Sequence, residues 1–407
     1  MRIQVYAILA AAVFTTLSCK KSGGGGDITN TVTLPVNGTA VVDANNHFAL
    51  NFLRATLQSD AANNNKLISP LSIYLALGMV YNGADNATKD SMTEVLQLSG
   101  ININDLNATC KALIEQLPAE DNKVAMYIAN SIWYKQHTAQ PLQSFLDINA
   151  SYYKADLQPM TTVDAINNWA AENTKNKITK IIDAIPDNML MFLINAIYFK
   201  GGWKFAFKSQ DTHTASFYLQ DGSKINVPFM QQQLTTDIYY DEGYNAVEMP
   251  YGGGNSYSMY LLQSKNNAKA VNEFAGSLDA TALKGIITGM KPLRIKLVMP
   301  KWEYSYNIDD MKAELSALGM HIAFTGAADF SKMYNAHVEI TKAVHKTYIK
   351  VDEEGTEAAA VSGAGMGMTS AAPPEAITFD HPFLYVIAEK QTGMILFTGI
   401  LNDPSKN

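Results

Sequence analysis

The chain has 407 residues, of which 47% are hydrophobic and 17% are charged, and its formal net charge is −7. This is the composition of an ordinary globular protein with enough apolar side chains for a large core, which excludes an intrinsically disordered chain. The lysines and arginines are scattered along the sequence, so we expect no binding to nucleic acid or another polyanion.

Residues 1–18 have the pattern of an export signal. The apolar run at 8–17 is shorter than the roughly 20 residues that a membrane-spanning helix needs. Small residues before Cys19 are similar to a bacterial lipoprotein cleavage site. We therefore expect a lipid on Cys19 and a tether over residues 19–41, at the outer membrane or cell surface. Ordinary cleavage with release of the chain is the alternative. With Cys19 acylated, only Cys110 remains, so we expect no intramolecular disulfide.

Residues 42–407 form one predicted domain, because no linker-like stretch or internal repeat divides them. Apolar residues recur at helical spacing in four segments: 48–57, 67–80, 163–182 and 308–318. Strand-like apolar runs occupy five others: 124–134, 191–199, 238–249, 257–262 and 293–299. Helices and strands are mixed without regular alternation, which predicts an α+β fold rather than a doubly wound sheet.

The usual sequence signals of an enzyme are missing. The sequence has no Gly-x-Ser-x-Gly elbow, no His-Glu-x-x-His, no Cys-x-x-Cys and no phosphate-binding loop ending in Lys-Ser or Lys-Thr. The glycines at 363, 365 and 367 are spaced like a dinucleotide-binding loop, but two prolines at 373–374 follow where a helix would have to begin. We therefore expect no catalysis, no metal and no cofactor.

A long segment of small residues lies near the carboxyl end. Residues 352–375 contain almost no large side chains and separate two apolar strand candidates, 338–351 and 383–400. A flexible surface loop is the simplest interpretation. A loop of this length inside a compact domain is nevertheless unusual unless it is functional, and exposed loops are targets of proteases.

This loop begins with a motif of a known family. Residues 353–360, Glu-Glu-Gly-Thr-Glu-Ala-Ala-Ala, resemble the inhibitory hinge of the serpins. Further segments resemble serpin motifs in the family's order: 68–73, 195–203, 328–331, 344–346 and 380–383. The resemblance covers about residues 43–404. It implies a fold of three β-sheets and eight to nine helices, with an exposed reactive loop at about 355–375.

The resemblance implies an inhibitor of serine proteases, and of some cysteine proteases, that acts as a monomer. In the family mechanism a protease cleaves the loop and forms an acyl-enzyme, and the cut loop inserts into the main sheet and traps the protease. A non-inhibitory serpin that serves as a surface binding module is the alternative. The implied hinge consists of Glu353, Gly355, Thr356, Glu357, Ala358, Ala359 and Ala360.

Alternation along an inserted strand supports the hinge interpretation. Thr356, Ala358 and Ala360 would face the interior, and none of them is large or charged. Glu357 would face solvent, where a charge is tolerated. Gly355 would permit the backbone turn at which insertion begins.

The resemblance also assigns roles outside the hinge. Ser69, Ser72, Asn195 and His345 match the polar cluster that governs opening of the main sheet. Trp203 and Lys301, the latter paired with Glu353, match the region where insertion starts.

The site of cleavage is predicted to within one residue. The family's usual spacing from Glu353 points to the bond between Thr369 and Ser370. Counting back from the prolines at 373–374 shifts the site to Ser370, and Met368 is the other alternative. No Lys or Arg lies between residues 350 and 390, so we expect elastase-, subtilisin- or chymotrypsin-like targets and not trypsin-like ones.

Overall fold

The computed structural model describes residues 30–62, 64–136, 140–265, 270–356 and 374–406. These ranges contain nine α-helices mixed with strands, so the predicted α+β class and helix number are confirmed. None of the helices described is long and apolar enough to cross a bilayer. The helices are α1 Gly38–Ser59, α2 Pro70–Tyr81, α3 Asn86–Val95, α4 Ile103–Gln116, α5 Gln143–Tyr153, α6 Val163–Asn173, α7 Val271–Ser277, α8 Ala280–Gly289 and α9 Lys312–Leu315.

The strands form a six-stranded and a nine-stranded sheet. They are β1 Lys66–Ile68, β2 Val124–Tyr134, β3 Ala155–Pro159, β4 Met191–Gly202, β5 His213–Tyr218, β6 Lys224–Tyr240, β7 Tyr244–Pro250, β8 Tyr257–Ser264, β9 Lys291–Pro300, β10 Trp302–Ile308, β11 His345–Val351, β12 Gly355–Thr356, β13 Glu375–Thr378, β14 Phe383–Glu389 and β15 Ile395–Leu401. The six-stranded sheet has the order β10-β11-β12-β4-β2-β3. The larger sheet has the order β1-β15-β14-β8-β7-β6-β9-β13, with β5 paired to β6.

Strand β6 explains why two sheets are found where the resemblance implies three. This strand of 17 residues pairs with β5 and β9 over most of its length and with β7 only at residues 238–240. One continuous backbone therefore joins two smaller sheets into the nine-stranded one. The six-stranded sheet remains separate and is the main sheet of the fold.

The folded part begins before residue 42. Helix α1 starts at Gly38, and the side chains of Val32 and Val41 are buried. Two valines in a stretch rich in Gly, Thr and Asn are a weak signal in a sequence, whereas their packing against the core is evident in three dimensions. Residues 30–41 thus lie against the domain, although their composition suggested a tether.

Two predicted elements are shorter or divided in the structure. The helix predicted at 163–182 ends at Asn173, because Lys175 and Asn176 adopt left-handed backbone conformations with φ of 52° and 62°. The strand predicted at 238–249 is divided between β6 and β7. The turn between them is held by the Asp241 carboxylate, which accepts hydrogen bonds from the backbone N–H groups of Gly243 and Tyr244 at 2.7 and 3.0 Å.

Other predicted runs change type along their length. The run 67–80 is a short strand followed by α2, and Ser69 caps the helix while a proline fills its first turn. The helix predicted at 308–318 begins later than expected, because Ile308 is the last residue of β10. Helix α9 then covers Lys312–Leu315, and a π-helical turn at Ser316–Met320 continues it. The run 338–351 is a strand only from His345, and the run 383–400 is the hairpin β14–β15 with Gly393 in its turn at φ 76°.

The main core lies between the two sheets. Phe199 of β4 contacts Tyr257 of β8 and Phe397 of β15, with ring centroids 5.6 and 6.4 Å apart. A second apolar cluster covers the other face of the six-stranded sheet, where Trp169 of α6 lies with Phe192 of β4. A strand added beside β4 would therefore be buried on the face that meets the main core.

Candidate functional site at the hinge and the main sheet

The first residues of the predicted loop already lie inside the six-stranded sheet. Strand β12 is placed between β11 and β4: Thr356 is opposite Val351 on one side and Gly201 on the other, and Gly355 is opposite Gly202. Within the described ranges, no other strand separates β4 from β11. The hinge therefore enters the sheet at the end of a gap between these two strands.

Gly355 occupies a position that other residues would not fit. Its φ is +146°, and a Cβ atom there would lie 2.1 Å from the carbonyl oxygen of Gly201 and 2.7 Å from the Cα atom of Gly202. The chain turns into the sheet at this point, because the N–H of Asp352 donates to the carbonyl of Gly355 over 3.0 Å. Glycine is thus required both by the backbone conformation and by the close approach of β4.

Glu353 is held at the entrance by two side chains. Its carboxylate lies 2.7 Å from Lys301 Nζ and accepts a hydrogen bond of 2.7 Å from the Thr212 hydroxyl. Burial alone would raise the pKa of Glu353, but the hydrogen bonds from Lys301 and Thr212 outweigh burial and lower this pKa below its usual range. The ionised carboxylate therefore fixes the segment just before the hinge turn.

Trp203 holds the same turn from the other side. Its indole N–H donates to the carbonyl of Asp352 over 3.0 Å, and its backbone N–H donates to the carbonyl of Glu354 over 2.8 Å. The indole ring is stacked on Tyr251 at 4.5 Å between centroids. The Tyr251 hydroxyl in turn lies 2.6 Å from Oγ1 of Thr356, which is itself buried.

The structure brings together three of the four residues predicted to govern sheet opening. The backbone N–H of Ser69 donates to Nε2 of His345 over 3.0 Å, and the N–H of Ser72 donates to the Ser69 hydroxyl over 3.4 Å. Asn195 does not join this network and instead donates to Asn130 Oδ1 over 2.8 Å. Ser72, Asn195 and His345 nevertheless line the same cavity.

His345 is a buried, neutral imidazole. Desolvation lowers its pKa to about 3, and the nitrogen that accepts the Ser69 N–H must be unprotonated. The Ser69 hydroxyl donates to the carbonyl of Leu396 over 2.8 Å and not to the imidazole. The pair therefore offers no activated nucleophile and serves as a structural link between α2 and β11.

Two cavities follow the gap between β4 and β11. The larger, about 360 Å³, is bordered by Asn195 and His345, and the smaller, about 20 Å³, lies beside Thr356 between Ile197 and Ile349. Small inward-facing side chains, such as those predicted for the hinge, suit a gap of this size. Large side chains would have to displace the neighbouring strands.

Several predicted site residues lie outside the described part of the chain. They are Cys19, Glu357, Ala358, Ala359, Ala360, Met368, Thr369 and Ser370. The described residues contain no group of three or more His, Cys, Asp or Glu side chains arranged to hold a metal ion.

Two residues of the entrance escaped the sequence reasoning. Thr212 contacts Glu353, which lies 141 positions later in the chain, and Tyr251 contacts Thr356, which lies 105 positions later. Neither belongs to a segment whose pattern indicates a role. A threonine after an aspartate and a tyrosine before a glycine run are ordinary loop residues, so only their positions in space identify them.

Comparison with known proteins agrees with this architecture. A family model described as serpin (serine protease inhibitor) matches residues 43–404. Human neuroserpin is 30% identical to this chain over 374 residues, which cover 87% of this chain and 88% of neuroserpin.

Solved structures agree as well. The native structure of tengpin, a thermophilic serpin, has a TM-score of 0.81 and 31% identity, covering 92% of this chain and 97% of tengpin. Human thyroxine-binding globulin has a TM-score of 0.81 and 25% identity, covering 91% of this chain and all of the globulin chain. Sequence match, motif order and fold thus lead to one conclusion: this chain belongs to the serpin family.

Proposed function

We propose that this serpin inhibits serine-type endopeptidases as a suicide substrate and is not itself an enzyme. The observation that carries the proposal is the placement of β12 between β11 and β4. Thr356 of the hinge already pairs with both strands and Gly355 pairs with β4, and the hinge that follows contains only small residues at the inward-facing positions. A non-inhibitory binding module would have no need of a hinge built for insertion.

The proposed reaction begins at the loop. The serine hydroxyl of the protease attacks the carbonyl carbon of Thr369 and the bond to the nitrogen of Ser370 breaks. The serine proton passes through the base of the protease to the leaving amine. The protease is then an ester of the Thr369 carboxyl. Insertion of the loop would carry the ester along the sheet and deform the protease active site before water reaches it.

The dimensions of the sheet suit this insertion. Residues 356–369 would span about 46 Å as a strand at about 3.3 Å per residue, and the 12 residues of β4 span about 40 Å. An inserted strand would thus lie beside the full length of β4. Each new backbone hydrogen bond contributes on the order of 1 kcal/mol net, so ten or more would make insertion effectively irreversible.

The target class follows from the loop composition. A loop without Lys or Arg offers no partner to a protease that has a carboxylate in its specificity pocket, so trypsin-like enzymes are poor candidates. Elastase- and subtilisin-like enzymes would accept Thr369, chymotrypsin-like enzymes would use Met368, and some cysteine proteases are further candidates. The protein would act as a monomer, displayed at the outer membrane or cell surface by a lipid on Cys19.

A panel of proteases tests the proposal. The full-length protein is mixed with elastase, subtilisin, chymotrypsin or trypsin and analysed on denaturing gels, and the released peptide is identified by mass spectrometry. We expect a gel-stable complex with one of the first three and a peptide that begins at Ser370 or within one residue of it. Cleavage without any complex would instead favour the non-inhibitory alternative. A serpin of that kind would bind a ligand instead, as thyroxine-binding globulin does in its solved complex with thyroxine.

Membrane attachment requires a separate test. We expect the wild-type protein to fractionate with membranes and the Cys19→Ser variant to lose that association, because the proposed lipid is the anchor. Equal partitioning of both proteins into the soluble fraction would favour ordinary signal cleavage and release.

A further inference from the structure

Tyr251 places a hydroxyl group beside the hinge in the main sheet. The residue follows β7 and is fully buried, and its hydroxyl lies 2.6 Å from Oγ1 of Thr356. Among the described residues, Thr356 is the only hydrogen-bond partner of this hydroxyl. Burial raises the pKa of Tyr251 well above its usual range, so the group stays neutral and keeps its proton.

The ring of Tyr251 is held so that its hydroxyl has little freedom. It is stacked on Trp203 at 4.5 Å and meets Phe199 edge to face at 5.1 Å. The backbone N–H of Tyr251 donates to the carbonyl of Tyr257 over 2.9 Å. Gly201 completes the arrangement, since a Cβ atom there would lie 2.8 Å from the Tyr251 ring.

The geometry points to Tyr251 as a positioning residue for loop insertion, one whose hydroxyl docks Thr356 and sets the register of the entering strand. This inference rests on the proposed inhibitory function and assigns a role within it. A slip of one residue toward the carboxyl end would place Glu357 beside the buried phenol, and a slip the other way would leave the phenol without a hydroxyl partner. The first of these registers buries a charge and the second leaves a buried hydroxyl without a partner, so both are disfavoured.

Conservative variants separate the hydrogen bond from packing. Tyr251→Phe keeps the ring on Trp203 and removes only the hydroxyl, and Thr356→Val keeps the side-chain volume and removes only its hydroxyl. Thr356→Ser restores a hydroxyl and serves as the matched control. The double variant Tyr251→Phe/Thr356→Val tests whether the two hydroxyls act as one unit.

Two measurements report on docking. The first is amide hydrogen exchange of the hinge peptide in the intact protein, and the second is the number of inhibitor molecules consumed per protease inhibited. We expect about fivefold faster hinge exchange in either single variant, because one net hydrogen bond is lost. We also expect at least a doubling of the inhibitor consumed. Thr356→Ser should stay within twofold of wild type, and the double variant should equal the single variants.

The outcomes separate this inference from the proposed function. Wild-type hinge exchange in Tyr251→Phe, or effects that add in the double variant, would overturn the docking role. If the wild type forms no protease complex but Tyr251→Phe still accelerates hinge exchange, the inhibitory proposal fails and the docking role stands. A melting temperature of the intact variants within a few degrees of wild type excludes general destabilisation as the cause.

Discussion

Replacement of Gly355 by alanine should convert this inhibitor into a substrate. The new Cβ atom would lie 2.1 Å from the carbonyl oxygen of Gly201, a contact that real structures do not contain. The φ of +146° adds a backbone penalty of about 1–3 kcal/mol for a non-glycine residue. Relief of the contact requires β12 to leave β4, which removes about two hydrogen bonds at about 1 kcal/mol each.

These terms sum to about 3–5 kcal/mol against the docked hinge. If the insertion step bears this full amount, its rate falls by about two to three and a half orders of magnitude, since about 1.4 kcal/mol corresponds to tenfold. Hydrolysis of the acyl-enzyme would then precede insertion, and the protease would be released. The intact protein should keep its melting temperature within a few degrees, because the hinge can leave the sheet without disturbing the core.

The assay is a titration of a protease that the wild type inhibits, followed by the ratio of complex to cleaved inhibitor on a denaturing gel. Gly222→Ala is the matched control, since Gly222 has a φ of +83° and no atom within 4 Å of an added Cβ. We expect at least tenfold more inhibitor consumed per protease for Gly355→Ala and little change for Gly222→Ala. Equal behaviour of the two variants, or full inhibition by Gly355→Ala, would refute the reasoning.

Three further predictions concern the loop and the sheet. Thr356→Arg should abolish trapping, because it places a charge at a buried position of the sheet. Glu354→Arg changes an exposed position and should retain trapping. The yield of gel-stable complex measures both. Thr369→Arg should create a trypsin inhibitor. If trypsin instead stays active and the loop is cut elsewhere, another bond is the reactive one. The folded-state pKa of His345, about 3, is far below the usual value, so the unfolded chain binds a proton first as the pH falls. Stability should therefore fall by up to about 1.4 kcal/mol per pH unit between pH 6.5 and 3, and denaturant titrations of His345→Gln should lack this slope.

Local patterns that depend on neighbouring residues were readable from the sequence. The small residues of the hinge and the glycine at 355 are adjacent in the chain, and their resemblance to the serpin hinge implied an entry point into a sheet. Strand β2 was predicted with its observed bounds, Val124–Tyr134, because its run of apolar and aromatic residues is interrupted only at Asn130 and Ser131. The ends of other elements were wrong where a local turn interrupted an apolar run, as at Asp241 between β6 and β7.

The sequence by itself determined the family, the mixed α+β class and the small-residue hinge, because each is recorded in residues that lie close together in the chain. Only the tertiary structure decided which distant groups meet the hinge. Thr212 reaches Glu353, Tyr251 reaches Thr356, and Asn195 turns to Asn130 instead of the His345 network. These contacts join residues 65 to 141 positions apart, and they depend on which strands pair within a sheet and on how the two sheets pack against each other, which no local pattern encodes.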